Sequence, residues 1–265
     1  MEPHWQISPN PSQEAVESVT NLYNAINLKF PEGVRNFESK WAAWHNICLK
    51  TPTSASLYAC TQTDEFEAIK MLGPKIIQFV IFKLARDDIH QNSYGVFLYN
   101  ALEFDTNYIV KRDRPLASHE ELQRESSQLV ELNYQRNKIV EERIAAWQRH
   151  HENNQIHSNS IIYTECEEYS DLLEMGPSII PQIMLMYEEN YEGFWHELLY
   201  EIIHGHKMGA WCYQKGYLID MWCQFFNERG WNEIPVYTPS EFDRMMSKID
   251  SEDEEGESFR QSGQQ

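Results

Sequence analysis

The densest group of side chains able to do chemistry lies in one short segment near the last third of the chain. It comprises three histidines, two acids and a tyrosine: His196, Glu197, Tyr200, Glu201, His204 and His206. On a helix, Glu197 and Glu201 share a face at a spacing of four residues, and Glu201 and His204 at a spacing of three. A histidine beside a carboxylate is the pairing that general acid–base catalysis uses. His196, Glu197, Glu201 and His204 are therefore the catalytic candidates.

Two other interpretations of this segment compete with catalysis. The plainer one is a solvated helix face whose last histidines cap the helix before Gly205. The other is a metal site, but Glu201-x-x-His204 is only half of a di-iron bundle motif, which needs a second copy. The zinc motif His-Glu-x-x-His is missing because position 200 is Tyr. His196 and His204 lie about 12 Å apart along a helix, which is too far for both to bind one metal ion directly. We therefore expect no metal and no other cofactor.

Aromatic residues, which make up 13% of the chain, are the second candidate binding feature. Aromatics at helical spacing usually pack in a core. We expect this of six of the eight tryptophans: Trp44, Trp147, Trp195, Trp211, Trp222 and Trp231. The alternative is an apolar pocket for a hydrophobic ligand, at the junction of two halves of the molecule. Its candidate lining residues are Trp195, Tyr200, His206 and Trp211.

Motifs for two large enzyme classes are missing. The sequence contains no Gly-rich phosphate loop and no Gly-x-Ser-x-Gly elbow, so nucleotide-dependent transfer and serine hydrolysis lack support. The basic run at 111–114 is expected to be a solvated linker rather than a phosphate site.

Helices must position all of these residues, since apolar residues recur at helical spacing almost throughout the chain. The 265 residues include only 11 Gly and 11 Pro, which argues against an all-β fold. Ser12 is a plausible N-cap, and Ser118 with Glu121 forms a capping-box pattern that opens a long helix ending near His150. The middle of this long helix is polar, which predicts an exposed or hinged section.

An internal repeat is the strongest feature of the sequence. At a shift of 103 residues, 42–44 (Ala-Ala-Trp) falls on 145–147, and Gly73-Pro74 falls on Gly176-Pro177. Positions 42–84 give nine identities in 43, against about two or three by chance. Since Gly closes a helix and Pro opens the next, each Gly-Pro pair predicts a tight helix–helix turn.

The repeat predicts an all-α fold of two tandem multi-helix units that resemble HEAT-type helical hairpins and are joined by the long helix. The predicted boundaries are a flexible N-terminus at 1–11, a first unit at 12–117, the connecting helix at 118–150, a second unit at 151–249 and a disordered acidic tail at 250–265.

The second unit also resembles a group of small, mostly bacterial all-helical proteins without an assigned function. The likeness rests on 169–177 (Tyr-x-x-Leu-Leu-x-Met-Gly-Pro) and Ile180-Pro181, and continues through Phe194-Trp195 to Met221-Trp222. It covers about 140–232, and more weakly 40–105. This chain departs in carrying two units and in placing His204 and His206 around Gly205. The resemblance implies an all-helical fold and supplies no activity.

Charge and cysteine content limit the partners and the compartment. The formal net charge of −19 argues against nucleic acid as a partner, because binding it needs a clustered basic surface. Five cysteines without a Cys-x-x-Cys pair are typical of reduced thiols. The N-terminus has no signal-peptide pattern, and the apolar run at 76–82 is too short to span a bilayer. We expect a cytoplasmic protein without a membrane partner.

Two functional hypotheses follow, and whether the protein is an enzyme stays open. The first is a non-catalytic helical-repeat interaction or scaffold protein that binds a protein partner on the face formed by the two units. The alternative is a helical enzyme or accessory protein that acts on a small apolar molecule in a specialised (secondary) metabolite pathway. An iron or zinc protein is a third possibility.

Overall fold

The computed structural model describes residues 10–50, 56–86, 92–112, 115–116, 118–154, 161–191, 193–208 and 215–235. The regular structure in these ranges is entirely helical, so the predicted all-α class is confirmed. The helices belong to one compact unit that ends at Ile234. The predicted flexible start (up to residue 9), the acidic tail and Trp211 lie outside the described residues, as do two residues of the basic run.

Eleven α-helices occur in the described part of the chain. In order they are α1 Gln13–Lys29, α2 Pro31–Lys50, α3 Asp64–Lys70, α4 Ile77–Ala85, α5 Gly95–Leu102, α6 His119–Asn153, α7 Ile161–Thr164, α8 Glu167–Leu173, α9 Ile180–Glu189, α10 Trp195–His204 and α11 Lys215–Asn227. Short 3-10 helices lie at Leu57–Thr61, Pro74–Ile76, Thr106–Tyr108, Gly176–Ile179 and Trp231–Glu233. None of the described helices is both long enough and apolar enough to cross a membrane.

The predicted helix starts are confirmed by their capping contacts. The Ser12 hydroxyl accepts a hydrogen bond from the Ala15 amide at 3.2 Å, and the Ser118 hydroxyl accepts one from the Glu121 amide at 3.2 Å. Each contact satisfies an amide that has no partner within its own helix. The long helix that Ser118 opens, α6, has 35 residues and is therefore about 52 Å long.

The polar middle of α6 is buried, so the prediction of an exposed or hinged section is wrong. Asn133 and Arg136 are fully buried, because α6 packs against α1, α4, α5 and α8. Their polar groups are paired across helices: the Asn133 amide donates to the Tyr99 hydroxyl at 2.9 Å, and the Arg136 guanidinium lies 2.7 Å from the Glu103 carboxylate. Buried polar groups need such partners, which the chain supplies from a distant segment.

Two tryptophans that the repeat superimposes make the same contact. The Trp44 indole donates to the Cys60 carbonyl at 2.9 Å, and the Trp147 indole donates to the Tyr163 carbonyl at 2.8 Å. In both pairs the partners are 16 residues apart, and the two pairs are 103 residues apart. Both indole rings are fully buried.

The two Gly-Pro turns lie against each other and start equivalent helices. Gly73 and Gly176 have φ values of +77° and +67°, a region that L side chains rarely adopt. The helices that follow, α4 and α9, begin 103 residues apart.

The residue after each Gly-Pro pair reaches a helix end in the other half of the chain. The Ser178 hydroxyl donates to both carboxylate oxygens of Glu103, just after α5, at 3.1 Å. The Lys75 ammonium nitrogen donates to three carbonyl oxygens at the end of α11, those of Phe225, Phe226 and Arg229. These long-range contacts tie the halves together.

Candidate functional site

Helix α10 carries the segment predicted to do chemistry. Its last residue is followed by Gly205 at φ +73°, the left-handed conformation that closes a helix. The helix packs against α8, α9 and α11. This packing determines which neighbouring side chains the candidate acids and histidines of α10 contact.

Both candidate acids of α10 are held by hydrogen bonds. The Tyr169 hydroxyl of α8 donates to the Glu201 carboxylate at 2.8 Å, and the Met208 amide donates to the Glu197 carboxylate at 3.1 Å. Burial raises the pKa of Glu197, and the negative charge of Glu201 raises it further. Burial and the bond to Glu201 likewise raise the pKa of the Tyr169 hydroxyl. The raised pKa makes Glu197 a better proton acceptor than an exposed glutamate, whereas the Tyr169 hydroxyl keeps its proton.

One cation lies beside this acid–tyrosine group. The Lys207 ammonium donates to the Thr164 carbonyl at 2.8 Å and lies 3.5 Å from the Glu165 carboxylate. It also lies 5.7 Å from the centre of the Tyr169 ring. Its positive charge lowers the pKa of Glu197, opposing the effect of burial. We call Tyr169, Glu197, Glu201 and Lys207 the acid–tyrosine cluster.

The histidines of the segment take part in ring packing. The His204 ring stacks on Tyr200 with centroids 4.1 Å apart, and the His206 ring meets Tyr200 edge-on at 5.5 Å. His196 is only 2% exposed and lies 6.2 Å from the rings of both Tyr187 and Phe194. The structure therefore places Glu201 against Tyr169, His204 against Tyr200, and His196 in the core.

The candidate pocket residues are used in different ways. Trp195 is buried and meets Trp147 edge-to-face with ring centroids 4.7 Å apart. Tyr200 is buried under His204, whereas His206 is exposed. The prediction that tryptophans pack in the core is confirmed for the buried Trp44, Trp147, Trp195 and Trp222. Trp231 is only half-buried, so the prediction is wrong for this residue.

The acid–tyrosine cluster has apolar or aromatic residues at the matching positions of the first half. At the 103-residue shift, Tyr169, Glu197, Glu201 and Lys207 correspond to Phe66, Tyr94, Leu98 and Phe104. The chemistry-bearing cluster is thus confined to the second half. Phe104, where the second half has Lys207, is 69% exposed.

No protein-family model, curated protein or solved structure matches this chain, so the resemblance noted from its sequence stays a prediction. The function must therefore be argued from the side chains themselves.

A second polar cluster was missed by the sequence reasoning. His150, Cys166 and Glu168 offer one donor atom each, and these atoms all lie within 4.8 Å of one another. Donor atoms this close together could share one metal ion. The signal lies in the repeat, because His150 and Cys166 stand where the first half has Ile47 and Thr63.

Lys111 and Arg112, the described residues of the basic run, line an open groove of about 410 Å³. Within it, the Arg112 guanidinium lies 2.7 Å from the Glu125 carboxylate, which is almost fully buried. The carboxylate neutralises the arginine, so the described part of this groove offers less positive charge than the sequence suggests.

Proposed function

We propose that this chain is a non-catalytic, cytoplasmic interaction protein built from two tandem helical units that α6 joins. The observation that carries the proposal is Phe104, a large aromatic side chain that is 69% exposed directly after α5. Exposed aromatics that become buried on binding are the residues that dominate protein–protein affinity.

The backbone on both sides of Phe104 is fixed by buried contacts. Glu103 is 5% exposed, pairs with Arg136 at 2.7 Å and accepts from Ser178. Its carboxylate also accepts a hydrogen bond from the Asp105 amide at 2.9 Å. An anchor that is already held in place loses little conformational entropy when a partner binds.

The contacts between the halves support the two-unit architecture. The two Gly-Pro turns contact each other, and matching turns together with matching tryptophan bonds are what a tandem duplication produces. The net charge of −19 favours a protein partner with a basic surface, because complementary charge speeds association.

The test is site-specific photocrosslinking in the host cell, with a benzophenone amino acid at position 104. Position 28 is the matched control, since Leu28 is 79% exposed on α1, away from α5 in sequence. We expect one crosslinked protein from position 104 and none from position 28. With that partner purified, Phe104→Ala should weaken binding about 30-fold, as expected for an anchor worth about 2 kcal/mol. Unchanged binding would refute the proposal.

A second candidate function is favoured by the acid–tyrosine cluster. Under it, the second unit handles a small apolar molecule, with His204 or His196 and Glu201 or Glu197 as the acid–base pair and the first unit as scaffold. Native mass spectrometry of protein isolated gently from its own cells would reveal a bound small molecule.

A double variant separates the two functions. Glu201→Ala combined with His204→Ala should leave partner binding intact if the chain is an interaction protein. It should abolish turnover of the bound molecule if the chain is an enzyme. Glu189→Ala, at an exposed acid of α9, is the control that removes charge without touching the cluster.

A further inference from the structure

We propose that His150, Cys166 and Glu168 bind one zinc ion in the second half of the molecule. Their donor atoms all lie within 4.8 Å of one another, and all three side chains are partly exposed. The imidazole Nδ1 of His150 lies 3.4 Å from a Glu168 carboxylate oxygen. Two ligands of a tetrahedral zinc ion, each about 2.0–2.1 Å from the metal, are separated by about 3.4 Å.

The His150 ring is oriented as a zinc ligand needs it. Its Nε2 lies 3.1 Å from the Ile162 carbonyl oxygen, which can only accept a hydrogen bond. The Nε2 proton is therefore donated to that carbonyl, which leaves the Nδ1 lone pair directed toward Glu168. A carbonyl that holds the second ring nitrogen in this way is a regular feature of zinc-bound histidines.

Two helices that pack on each other supply the three donors. His150 lies in the last turn of α6, Cys166 is the N-cap residue of α8, and Glu168 lies in the first turn of α8. The Trp147–Tyr163 hydrogen bond ties the end of α6 to the segment before α8. Sites mounted on packed helices keep their geometry better than sites on loops.

The donor set selects the metal. One thiolate, one imidazole and one carboxylate suit zinc, whereas Mg²⁺ and Ca²⁺ require sets of oxygen ligands. On binding, the Cys166 thiol loses its proton to solvent, so the thiolate and the carboxylate balance the two charges of the ion. Three protein ligands leave a fourth position for water or another ligand.

The first half provides an internal comparison. At the shift of 103 residues, His150 and Cys166 correspond to Ile47 and Thr63, and only the carboxylate is kept, as Glu65. We therefore expect a stoichiometry of one ion per chain, dependent on the second half. The zinc site does not involve Phe104, so failure of one proposal leaves the other standing.

Cobalt(II) titration of the metal-free full-length protein tests the site. We expect one equivalent to produce a thiolate-to-cobalt charge-transfer band, which one equivalent of zinc then removes. Cys166→Ser should abolish the band, and His150→Ala should weaken cobalt binding at least tenfold. The controls are Cys223→Ser, at another half-buried cysteine, and Glu65→Gln, at the position matching Glu168. A band that survives in Cys166→Ser, or no band at all, overturns the proposal.

Alkylation of the wild-type protein gives a readout that needs no variant. Zinc should slow modification of Cys166 by iodoacetamide at least tenfold and leave the rate at Cys223 unchanged, as measured by peptide mass spectrometry. Equal rates at Cys166 with and without zinc would overturn the proposal even if a variant failed to fold.

Discussion

The ion pair between Arg136 and Glu103 should be the most sensitive polar contact of the fold. Its side chains are 0% and 1% exposed and 2.7 Å apart, and the guanidinium carbon lies 3.6 Å from the centre of the Tyr108 ring. Arg136→Met would leave the buried Glu103 carboxylate without its ion-pair partner, which should lower the unfolding free energy by about 3–5 kcal/mol. Protonating a glutamate of ordinary pKa at pH 7 costs about 3.7 kcal/mol, so the carboxylate part of the penalty cannot exceed that.

Urea unfolding followed by tryptophan fluorescence measures the loss of unfolding free energy. In a thermal scan, the same loss should lower the melting temperature by about 6–20 °C. Adding Glu103→Gln to Arg136→Met removes the stranded charge and keeps an acceptor for Ser178 and Asp105. The double variant should be more stable than Arg136→Met by at least about 1.5 kcal/mol of unfolding free energy.

The control is Arg35→Met, which removes an exposed pair with Glu32 of nearly the same length, 2.6 Å. Its side chains are 69% and 56% exposed, so the loss should stay below about 1 kcal/mol. If Arg136→Met and Arg35→Met cost the same, burial of the pair does not govern its energy and the reasoning fails.

Three further predictions concern the turns and the repeat. Burial lowers the pKa of Lys75 to about 7 from 10.5, so the unfolded state binds the extra proton between these values. The difference in unfolding free energy between the wild type and Lys75→Met should therefore grow in favour of the wild type from pH 7 to 10.5. A constant difference would mean that the three carbonyls keep the ammonium charged. Gly176→Ala should lower the unfolding free energy, measured in urea, by about 1–2 kcal/mol because of the positive φ of Gly176. Gly73→Ala should lower it clearly more, because its Cβ would also lie 2.5 Å from the Trp231 indole ring, and equal losses would contradict this explanation. Ile47→His combined with Thr63→Cys places the donors of the proposed zinc site beside Glu65 in the first half. This variant should bind two cobalt ions per chain where the wild type binds one, and binding of a single ion would argue against an equivalent backbone geometry in the two halves.

Local signals in the sequence predicted the helical elements well. Ser12 and Ser118 cap helices because a hydroxyl next to free amides is a local event that neighbouring residues decide. Gly73 and Gly176 mark turns for the same reason, since their positive φ depends on the residue itself. Such features need no knowledge of the fold.

Contacts between distant segments could not be predicted in this way. The polar middle of α6 looked exposed because Asn133 and Arg136 find their partners, Tyr99 and Glu103, more than 30 residues earlier in the chain. The acids of α10 accept hydrogen bonds from Tyr169 and the Met208 amide, partners that spacing along the helix did not suggest. Spacing along one helix shows which side chains share a face and not what faces them.

The positions at which the two halves differ carry the functional argument. Residues that the fold needs, such as the paired tryptophans and the Gly-Pro turns, are the same in both halves. Lys207 against Phe104 and Cys166 against Thr63 change chemical class at positions that the 103-residue shift superimposes. A change that packing does not require needs another reason, and an anchor in the first half with a metal site in the second supplies one for each.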